Sequence, residues 1–353
     1  MSTGTDMADT GMSDAGMTGT SVPAQAILLA DIGGTHARFA WVEPGSARLQ
    51  CVTAYECAAF VRFEDALEAY LARLREQAAP KLVRAVFAVA ASVHADLIRL
   101  TNFPWQFSRR ALQESLGVPL TVLNDFSAQA WCLPALSADF TPALPAEALQ
   151  WWQQPATAVA PGPAAARSIV GPGTGFGAAT LTAGGEVLES EPGHVGFAPG
   201  NAHELALLGQ LWQRYPRISV EHLLSGPGLA NLYWANSRLL GGEKTLSAPQ
   251  IVAAAGQGDA LALQSVADFT GILGAVCGDI ALAMGSRGGL ILSGGMLERL
   301  DPLLNKALFM ARFTDKGPFS QWCTEVPVAR LTLPWPGLTG CALYCRIHHA
   351  GAA

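Results

Sequence analysis

Two short glycine-containing turns constrain the fold of this chain more than any other feature. The first turn, at 33–35, joins the apolar runs "AILLADI" and "ARFAWVE", and the second, at 173–175, joins "SIVGP" to "FGAATLT". Two apolar runs on either side of such a turn are typical of a β-hairpin. The sequence therefore predicts one hairpin near the start of each half of the chain.

Both turns have the chemistry of an anion-binding loop. Glycine allows a tight turn and a close approach by a ligand, and successive backbone N–H groups that face one way form a nest for an anion. Each turn also carries a hydroxyl donor, Thr35 in the first and Thr174 in the second. Together they predict a polyphosphate held from both sides, with two unrelated hairpin turns as the alternative.

Neither turn matches the common nucleotide fingerprints. The second continues into a strand, where a dinucleotide-binding motif would continue into a helix, and the sequence contains no GxxxxGK[ST] motif. Asp31 stands just before the first turn, where it would repel a phosphate but would suit a metal ion carried by the phosphates. The first turn is therefore interpreted as a phosphate loop beside Mg²⁺.

The alternation of strand and helix patterns predicts an α/β protein with two lobes and a cleft between them. The chain has 353 residues, a length that is enough for two domains with a substantial core. Of these residues 50% are hydrophobic and 14% charged, as in a globular protein. A stretch rich in Pro, Ala and Gln at 140–167 is interpreted as a surface excursion. Further strands are predicted at 48–56, 84–92, 97–101, 119–125, 289–295 and 326–333, and helices at 63–77, 108–117 and 338–349.

Composition and charge weigh against several classes of function. The net charge of −6 and the lack of a basic run in the sequence disfavour nucleic acid as a partner. Seven cysteines without a CxxC pair predict reduced, buried thiols and a cytoplasmic location. Residues 1–25 do not resemble a secretory signal and predict a disordered tail. Asp279 and several glycines interrupt the apolar stretch 269–285, which favours a buried helix over a membrane span.

Asn124 and Asp125 stand where a predicted buried strand ends and a helix begins. A carboxylate at that position can cap the helix. Strand ends of α/β folds also line clefts, and a carboxylate there can accept a proton from an alcohol. The sequence leaves both roles open for Asp125.

Three further polar side chains lie in predicted loops: Glu191 and His194 around a Pro-Gly turn, and Glu221. Together they are suited to hydrogen-bond the hydroxyls of a sugar, each bond to a charged group contributing about 1.5–3 kcal/mol. Surface charges, helix caps and a metal site of one His and two Glu are the alternatives.

Seven motifs in order carry a resemblance to a known family: "ADIGGTHAR", "LTNFPW", "LNDFSA", "GPGTGFG", "EPGHVGFAP", "LSGPGLANLY" and "GGLILSGG". This set resembles the bacterial glucokinases of the proteobacterial type, within the hexokinase–actin–Hsp70 superfamily, over most of residues 26–349. The Cys-rich zinc motif of the related repressor/kinase sugar kinases does not follow the His of "EPGHVG". The resemblance therefore points outside their zinc-containing branch.

The resemblance implies an α/β fold of two actin-like (ribonuclease H-like) lobes with a central cleft. The small lobe would comprise 26–135 plus 335–353, and the large lobe 136–334. It also implies ATP with Mg²⁺, phosphorylation of D-glucose at O6 to glucose 6-phosphate, and a cytoplasmic enzyme that often forms a homodimer, without nucleic-acid or membrane partners.

Site roles follow from the same motifs, residue by residue. Asp125 would be the general base, and Asp31 would bind Mg²⁺ through water. The implied glucose ligands are Asn102, Asn124, Asp125, Glu191, His194 and Glu221. The implied nucleotide-binding residues are Ala30, Asp31, Ile32, Gly33, Gly34, Thr35, Gly173, Thr174, Gly175 and Gly294.

Three positions depart from the family pattern: His36 replaces Asn, Pro192 replaces Gly and Gly196 replaces Asp. Proline fixes φ and removes a backbone donor, so the geometry between Glu191 and His194 is the feature most exposed to these changes. The alternatives to a glucokinase are a kinase of another hexose, such as mannose or N-acetylglucosamine, and a weakly active regulator that binds sugar or nucleotide.

Overall fold

A computed structural model describes residues 25–76, 80–136, 144–154 and 165–349. The predicted tail lies outside these residues except for its last position, Gln25, which begins the first strand. The strands in chain order are β1 Gln25–Ile32, β2 His36–Val42, β3 Gln50–Glu56, β4 Lys81–Val89, β5 Leu97–Arg99, β6 Gln106–Ser108, β7 Leu120–Asn124, β8 Leu149–Gln153, β9 Arg167–Pro172, β10 Phe176–Leu181, β11 Val187–Ser190, β12 Gly289–Leu292 and β13 Val328–Leu331. The α-helices are α1 Phe63–Glu76, α2 Arg109–Leu116, α3 Asp125–Ala130, α4 Ala202–Leu211, α5 Gly226–Leu239, α6 Ala248–Gly256, α7 Ala260–Met284, α8 Gly295–Leu300, α9 Lys306–Thr314, α10 Ser320–Thr324 and α11 Pro336–His349.

The first sheet has five strands in the order β3-β2-β1-β4-β7. The hairpin predicted around the turn at 33–35 is confirmed, since β1 and β2 pair antiparallel with Asp31 opposite Arg38. β1, β4 and β7 run parallel, so their carboxyl ends meet at one edge of the sheet. That edge holds Asp31 near the end of β1 and Asn124 at the end of β7.

Helices cover both faces of this sheet. α1 and the short β5-β6 ribbon pack on one face in an apolar cluster that includes Phe39, Phe63 and Tyr70. α11 packs on the other face through Leu338, Cys341 and Cys345. The helix predicted at 108–117 is confirmed with its caps: Ser108 Oγ accepts from the Ala111 N–H, and Gly117 ends the helix in the left-handed conformation.

The second sheet has six strands in the order β11-β10-β9-β12-β13-β8. It contains the second predicted hairpin, in which β9 and β10 pair antiparallel with Pro172 opposite Phe176. The interpretation of 140–167 as a surface excursion is wrong in part, because β8 lies inside it and pairs with β13 at the sheet edge. The rest of that stretch falls partly outside the described residues.

Helices α4 to α10 surround the second sheet, with α7 as the central one. One described helix, α7, meets the length and hydropathy of a membrane span, and 67% of its most apolar window is buried inside the protein. It packs against α5, α6 and α9. The buried helix predicted at 269–285 corresponds to the second half of α7, whose packing is that of a core helix.

Helix α3 connects the two sheets. It packs against α11 and β4 on the side of the first sheet and against β9, β10 and β11 of the second. The residue that begins α3 therefore faces the junction of the two layers. The lobe boundaries at 135/136 and 334/335 stay a prediction.

All seven cysteines lie in the described residues and none forms a disulfide there; six of them are buried. The expectation of buried thiols is wrong for Cys51, which is exposed in β3 and has a φ of 52°. A β-bulge in the pairing of β2 with β3 lies beside it.

Candidate active site

Asp125 is not the N-cap of α3, which is one of the two roles that the sequence left open for it. The cap of α3 is Asn124, whose Oδ1 accepts hydrogen bonds from the N–H groups of Phe126 at 3.0 Å and Ser127 at 3.1 Å. Asn124 Nδ2 donates to the Ala91 carbonyl at 3.4 Å, so this buried side chain is engaged in holding the strand end. Asp125 occupies the first position of α3, the helix that contacts both sheets.

The electrostatic setting of Asp125 makes it a stronger base than an ordinary aspartate. Loss of hydration raises the pKa of Asp125 to about 7, and the charge of Asp31 acts in the same direction. A hydrogen bond of 3.0 Å from the Phe126 N–H to Oδ1 lowers the pKa of Asp125, and the charge of Glu191 raises it. A carboxylate with a pKa near working pH is suited to general base catalysis.

The first turn is fixed by backbone hydrogen bonds on both sides. The Gly33 N–H donates to the carbonyl of His36 at 3.0 Å, and the Cys57 N–H donates to the carbonyl of Thr35 at 2.9 Å. The Thr35 side chain is exposed at the tip, and Gly34 is half-buried beside it. The turn is thus held from behind while its tip stays accessible.

Asp31 is held by two parts of the chain that are remote in sequence. Arg38 Nη1 lies 3.4 Å from Asp31 Oδ2 across the hairpin, and the Arg38 guanidinium lies over the ring of Trp335. Gly337 in the first turn of α11 packs directly on the carboxylate, since a methyl group there would lie 2.6 Å from Asp31 Cγ. Burial raises the pKa of Asp31, and the charge of Arg38 opposes that shift.

Ala30 and Ile32, two of the residues assigned to the phosphate loop, have their side chains in the core of the first sheet. The Ile32 carbonyl accepts from the Ala90 N–H at 2.9 Å. They flank Asp31 along the strand, and a direct role for them in nucleotide binding stays a prediction.

The second turn is anchored on the helical layer. The Gly173 N–H donates to the Gly175 carbonyl at 2.7 Å, and the Gly226 N–H at the start of α5 donates to the Gly173 carbonyl at 3.0 Å. Thr174 is exposed at its tip. Gly294 lies beside the strand that leads into this turn, because a methyl group on it would lie 2.6 Å from the Pro172 carbonyl oxygen.

Glu191, His194 and Glu221 come together in the second layer. Glu191 precedes the 3₁₀ turn Pro192–His194, and Glu221 lies in the 3₁₀ turn Val220–His222. Partial burial raises the pKa of Glu191, the charge of His194 opposes that shift, and Glu189 and Glu221 reinforce it. The charges of His194 and Glu221 thus act on Glu191, and that of Glu191 acts on Asp125, which links these side chains electrostatically.

Asn102 links the two turns. A methyl group on Gly34 would lie 3.3 Å from Asn102 Cβ, and one on Gly175 would lie 3.5 Å from Asn102 Nδ2. The exposed Asn102 side chain therefore spans from the turn of the first sheet to the turn of the second. The structure brings the two turns, Asp125 and the acidic cluster into one region.

Sequence reasoning missed three contributors to this region. Arg38 stands opposite Asp31 in the hairpin register, a signal that the predicted hairpin contained. The Phe176 N–H donates to Glu221 Oε2 at 2.9 Å, and Gly337 packs on Asp31. The last two depend on contacts between distant segments, for which the sequence pattern has no signal.

The departures at Pro192 and Gly196 are accommodated locally. Pro192 occupies the first position of its 3₁₀ turn, where a backbone N–H has no partner within the turn. Gly196 pairs with Ser219 in an isolated bridge, and the Arg217 guanidinium lies beside it while donating to the His194 carbonyl at 2.9 Å. The turn that carries His194 is therefore held by a side chain as well as by its own backbone.

The donor set suits a magnesium ion carried by a substrate better than a resident metal. Among the described residues no group of three or more His, Cys, Asp or Glu side chains is arranged to hold a metal ion. The metal site of one His and two Glu left open by the sequence is therefore not formed there. Mg²⁺ is commonly held by one or two carboxylates together with substrate phosphates, and Asp31 beside the first turn fits that pattern.

Two mixed sheets joined by a helix, with acidic side chains and glycine turns between them, define the class of two-lobed sugar kinases. The solved structure of glucokinase from an Antarctic psychrotroph has a TM-score of 0.76 and 34% identity, covering 91% of this chain and 99% of that one. The glucokinase of Balamuthia mandrillaris, solved in complex with glucose, shares the fold with a TM-score of 0.75 at 20% identity, covering 93% and 95%. A ROK family glucokinase from Streptomyces griseus, in complex with glucose and AMPPNP, shares it with a TM-score of 0.60 at 17% identity, covering 91% and 99%.

Sequence comparison identifies the family within this class. The glucokinase family profile matches residues 28–348. The glucokinase of Chromohalobacter salexigens is 40% identical over 319 residues, which cover 89% of this chain and 95% of that protein. The chain belongs to the glucokinase family, whose members are enzymes that phosphorylate glucose with ATP. The two-lobed α/β fold and the kinase activity expected from the sequence are thereby confirmed.

Proposed function

We propose that this site transfers the γ-phosphoryl group of ATP to O6 of D-glucose, with Asp125 as the general base. The observation that carries the assignment is the release of Asp125 from helix capping by Asn124, together with a pKa of about 7 for its carboxylate. An aspartate at its ordinary pKa would be a weaker acceptor for the proton of an alcohol. The charges of Asp31, on the proposed nucleotide side, and of Glu191, on the proposed sugar side, both raise the pKa of Asp125, which supports this role.

Glucose is proposed to bind against Glu191, His194 and Glu221, with Asn102 closing over it from the first layer. Charged hydrogen-bonding groups matched to several hydroxyls discriminate strongly against a sugar that leaves one of them unpaired. Asn124 contributes mainly by holding the strand end, since both of its amide atoms already have partners.

ATP is proposed to bind between the two turns, with its phosphates facing the backbone of 33–35 and 173–175 and its adenosine near Gly294. Asp31 would hold Mg²⁺ through water. When bound with the nucleotide, Mg²⁺ neutralises charge on the phosphoryl oxygens and orients them. The Arg38 and Gly337 contacts restrict the position of the Asp31 carboxylate, which supports this role.

The reaction needs little covalent chemistry from the protein. The two sheets close around the sugar and exclude water, which would otherwise accept the phosphoryl group. Asp125 takes the O6 proton while O6 forms its bond to the γ-phosphorus and the bond to the bridging β,γ-oxygen breaks in line. ADP and glucose 6-phosphate leave, and Asp125 returns its proton to solvent.

A coupled ATP/hexose assay tests this proposal. We expect the highest kcat/KM for glucose, with mannose and N-acetylglucosamine lower. A higher kcat/KM for another hexose would identify that hexose as the substrate. Binding of glucose with negligible turnover would favour the alternative of a weakly active regulator. The cytoplasmic location and the homodimer stay predictions.

A further inference from the structure

The Glu221 carboxylate is bound to the nucleotide turn by a hydrogen bond. The Phe176 N–H, on the first residue after the turn at 173–175, donates to Glu221 Oε2 at 2.9 Å. The Ser225 hydroxyl donates to the Glu221 carbonyl at 2.8 Å and holds the backbone of the same residue. One oxygen of a proposed sugar ligand is therefore fixed by the loop proposed to hold phosphate.

Gly175 leaves the space that this carboxylate occupies. A methyl group on Gly175 would overlap Glu221 Oε2, and it would also approach Asn102 Nδ2 at 3.5 Å. The backbone of Gly175 is outside the left-handed region, so its conformation alone would accept a side chain. A side chain at this position would therefore have to displace the Glu221 carboxylate that lies over it.

Gly173, the other glycine of the turn, is not crowded in this way. A methyl group on Gly173 would meet no heavy atom within 4 Å in the described structure, although Gly173 has the same kind of backbone conformation. The crowding at Gly175 is therefore specific to the point where Glu221 and Asn102 converge from the two sheets.

We propose that Gly175 is a positioning residue for the sugar: it keeps the Glu221 carboxylate on the nucleotide turn and thereby couples glucose binding to that turn. The inference rests on the proposed roles of Glu221 as a sugar ligand and of the turn as a phosphate site. Coupling of two binding equilibria is reciprocal. Glucose should therefore change nucleotide affinity by the same factor by which nucleotide changes glucose affinity.

The first test is calorimetric titration of glucose into the full chain without nucleotide. We expect Gly175→Ala to weaken glucose binding by about tenfold or more, the loss for one hydrogen bond to a charged group. The control is Gly209→Ala in α4, where a methyl group would meet no described heavy atom within 4 Å; it should keep the wild-type glucose affinity. Wild-type glucose affinity in Gly175→Ala would overturn the inference, since a glycine serving the nucleotide alone leaves that affinity unchanged.

The second test repeats the glucose titration in the presence of AMPPNP. In the wild type we expect AMPPNP to change glucose affinity by about 5- to 150-fold, the usual range of such coupling. In Gly175→Ala the factor should fall towards one. An unchanged factor in the variant, or a factor of one in the wild type, would contradict the coupling.

A double variant separates this role from a general loss of folding. Glu221→Ala removes the group that the new methyl would strike, so adding Gly175→Ala to it should cost no further glucose affinity or melting temperature. Additive losses would overturn the inference. If Gly175→Ala alone does not fold, the double variant should fold like Glu221→Ala, and its failure to do so would equally overturn it.

Failure of the inference and failure of the proposed function give different results. A wild type that does not bind glucose contradicts the proposed function. A wild type that binds and phosphorylates glucose, with Gly175→Ala binding equally well, contradicts only the role of Gly175.

Discussion

The two threonine-bearing turns share a local pattern but are held by different parts of the molecule. The first, at 33–35, is fixed by its own hairpin and by Cys57, and the carboxylate beside it packs on Gly337. The second, at 173–175, is fixed by Gly226 at the start of α5 and is bonded through Phe176 to Glu221. The first turn adjoins the proposed metal ligand Asp31, the second is bonded to the proposed sugar ligand Glu221, and Asn102 lies against both.

The difference shows what a glycine turn specifies and what it does not. Exposed backbone N–H groups give both turns affinity for phosphate. The residues packed against each turn determine whether phosphate binding there is coupled to the metal ligand or to the sugar ligand. Changes that reach the first turn through Asp31 and Gly337 should therefore affect nucleotide use, and changes at Gly175 in the second should reach the sugar through Glu221.

The largest effect on kcat is expected at Asp125, because its proposed role as base is needed for the transfer between the nucleotide and the sugar. Asp125→Asn keeps the size of the side chain but removes the base, so kcat should fall by about 10²- to 10⁴-fold or more. Glucose affinity, measured by calorimetry, should change far less. Because charging Asp125 disfavours the folded state, the variant should also melt at a higher temperature than the wild type at pH 8 and at a similar one at pH 4. Near-normal turnover would remove Asp125 as the base.

The next largest effect is expected on the nucleotide side. A methyl group on Gly337 would lie 2.6 Å from Asp31 Cγ and would displace the carboxylate. Gly337→Ala should lower kcat/KM for ATP by about 10- to 100-fold and raise the Mg²⁺ concentration needed for half-maximal rate. Glucose affinity without nucleotide should stay at the wild-type value, the reverse of the result expected for Gly175→Ala.

A control for Gly337→Ala is Gly271→Ala inside α7, where a methyl group would be in ordinary contact, 3.7 Å from the nearest side-chain atom. It should leave both kinetic constants unchanged. Loss of glucose affinity in Gly337→Ala would show that the two halves of the site are not separable in the way the two turns suggest.

The pH dependence should follow the raised pKa of Asp125. The base is active when deprotonated, so kcat/KM for glucose should rise with pH through about 7 and fall about tenfold per pH unit well below it. The contribution of the same group to stability has the opposite sign: it is present below the unfolded pKa of 3.8 and is lost as pH rises through about 7. A pH–rate profile of the wild type and of Asp125→Asn checks this, since the acid limb should disappear in the variant. A wild-type limb near pH 4 would contradict the assignment.

The smallest effect is expected at Gly196, next to the turn of His194. Its backbone is outside the left-handed region, and a side chain there would begin 3.9 Å from Arg217 Nη2. Gly196→Asp should form an exposed ion pair that contributes at most about 1 kcal/mol and weakens with salt. Thermal unfolding at low and high salt measures it, and KM for glucose should stay within about twofold. A large loss of glucose affinity would show that Gly196 matters to the sugar site directly.

Features set by adjacent residues could be predicted from the sequence. The two hairpins follow from apolar runs around glycine turns, and α2 follows from the Ser108 cap and the Gly117 stop, both of which the structure confirms. The pairing of Arg38 with Asp31 was within reach, because the hairpin register places them opposite one another.

Features set by tertiary contacts could not be predicted. The strand at 149–153 has Pro- and Gln-rich flanks that indicate a loop, and its pairing partner, β13, lies far along the chain. Whether Asn124 or Asp125 caps α3 depends on where the helix begins, to the residue. The bond from Phe176 to Glu221 spans 45 positions, and Gly337 reaches Asp31 only because α11 returns to the first sheet.

The central claim is that Asp125 and the two turns face one shared space, and a crystal structure with glucose and AMPPNP bound tests it most directly. The account predicts glucose O6 within about 2.6–3.2 Å of an Asp125 carboxylate oxygen, with the terminal phosphate between the turns at 33–35 and 173–175. A phosphate bound away from either turn, or a sugar whose O6 points away from Asp125, would contradict it.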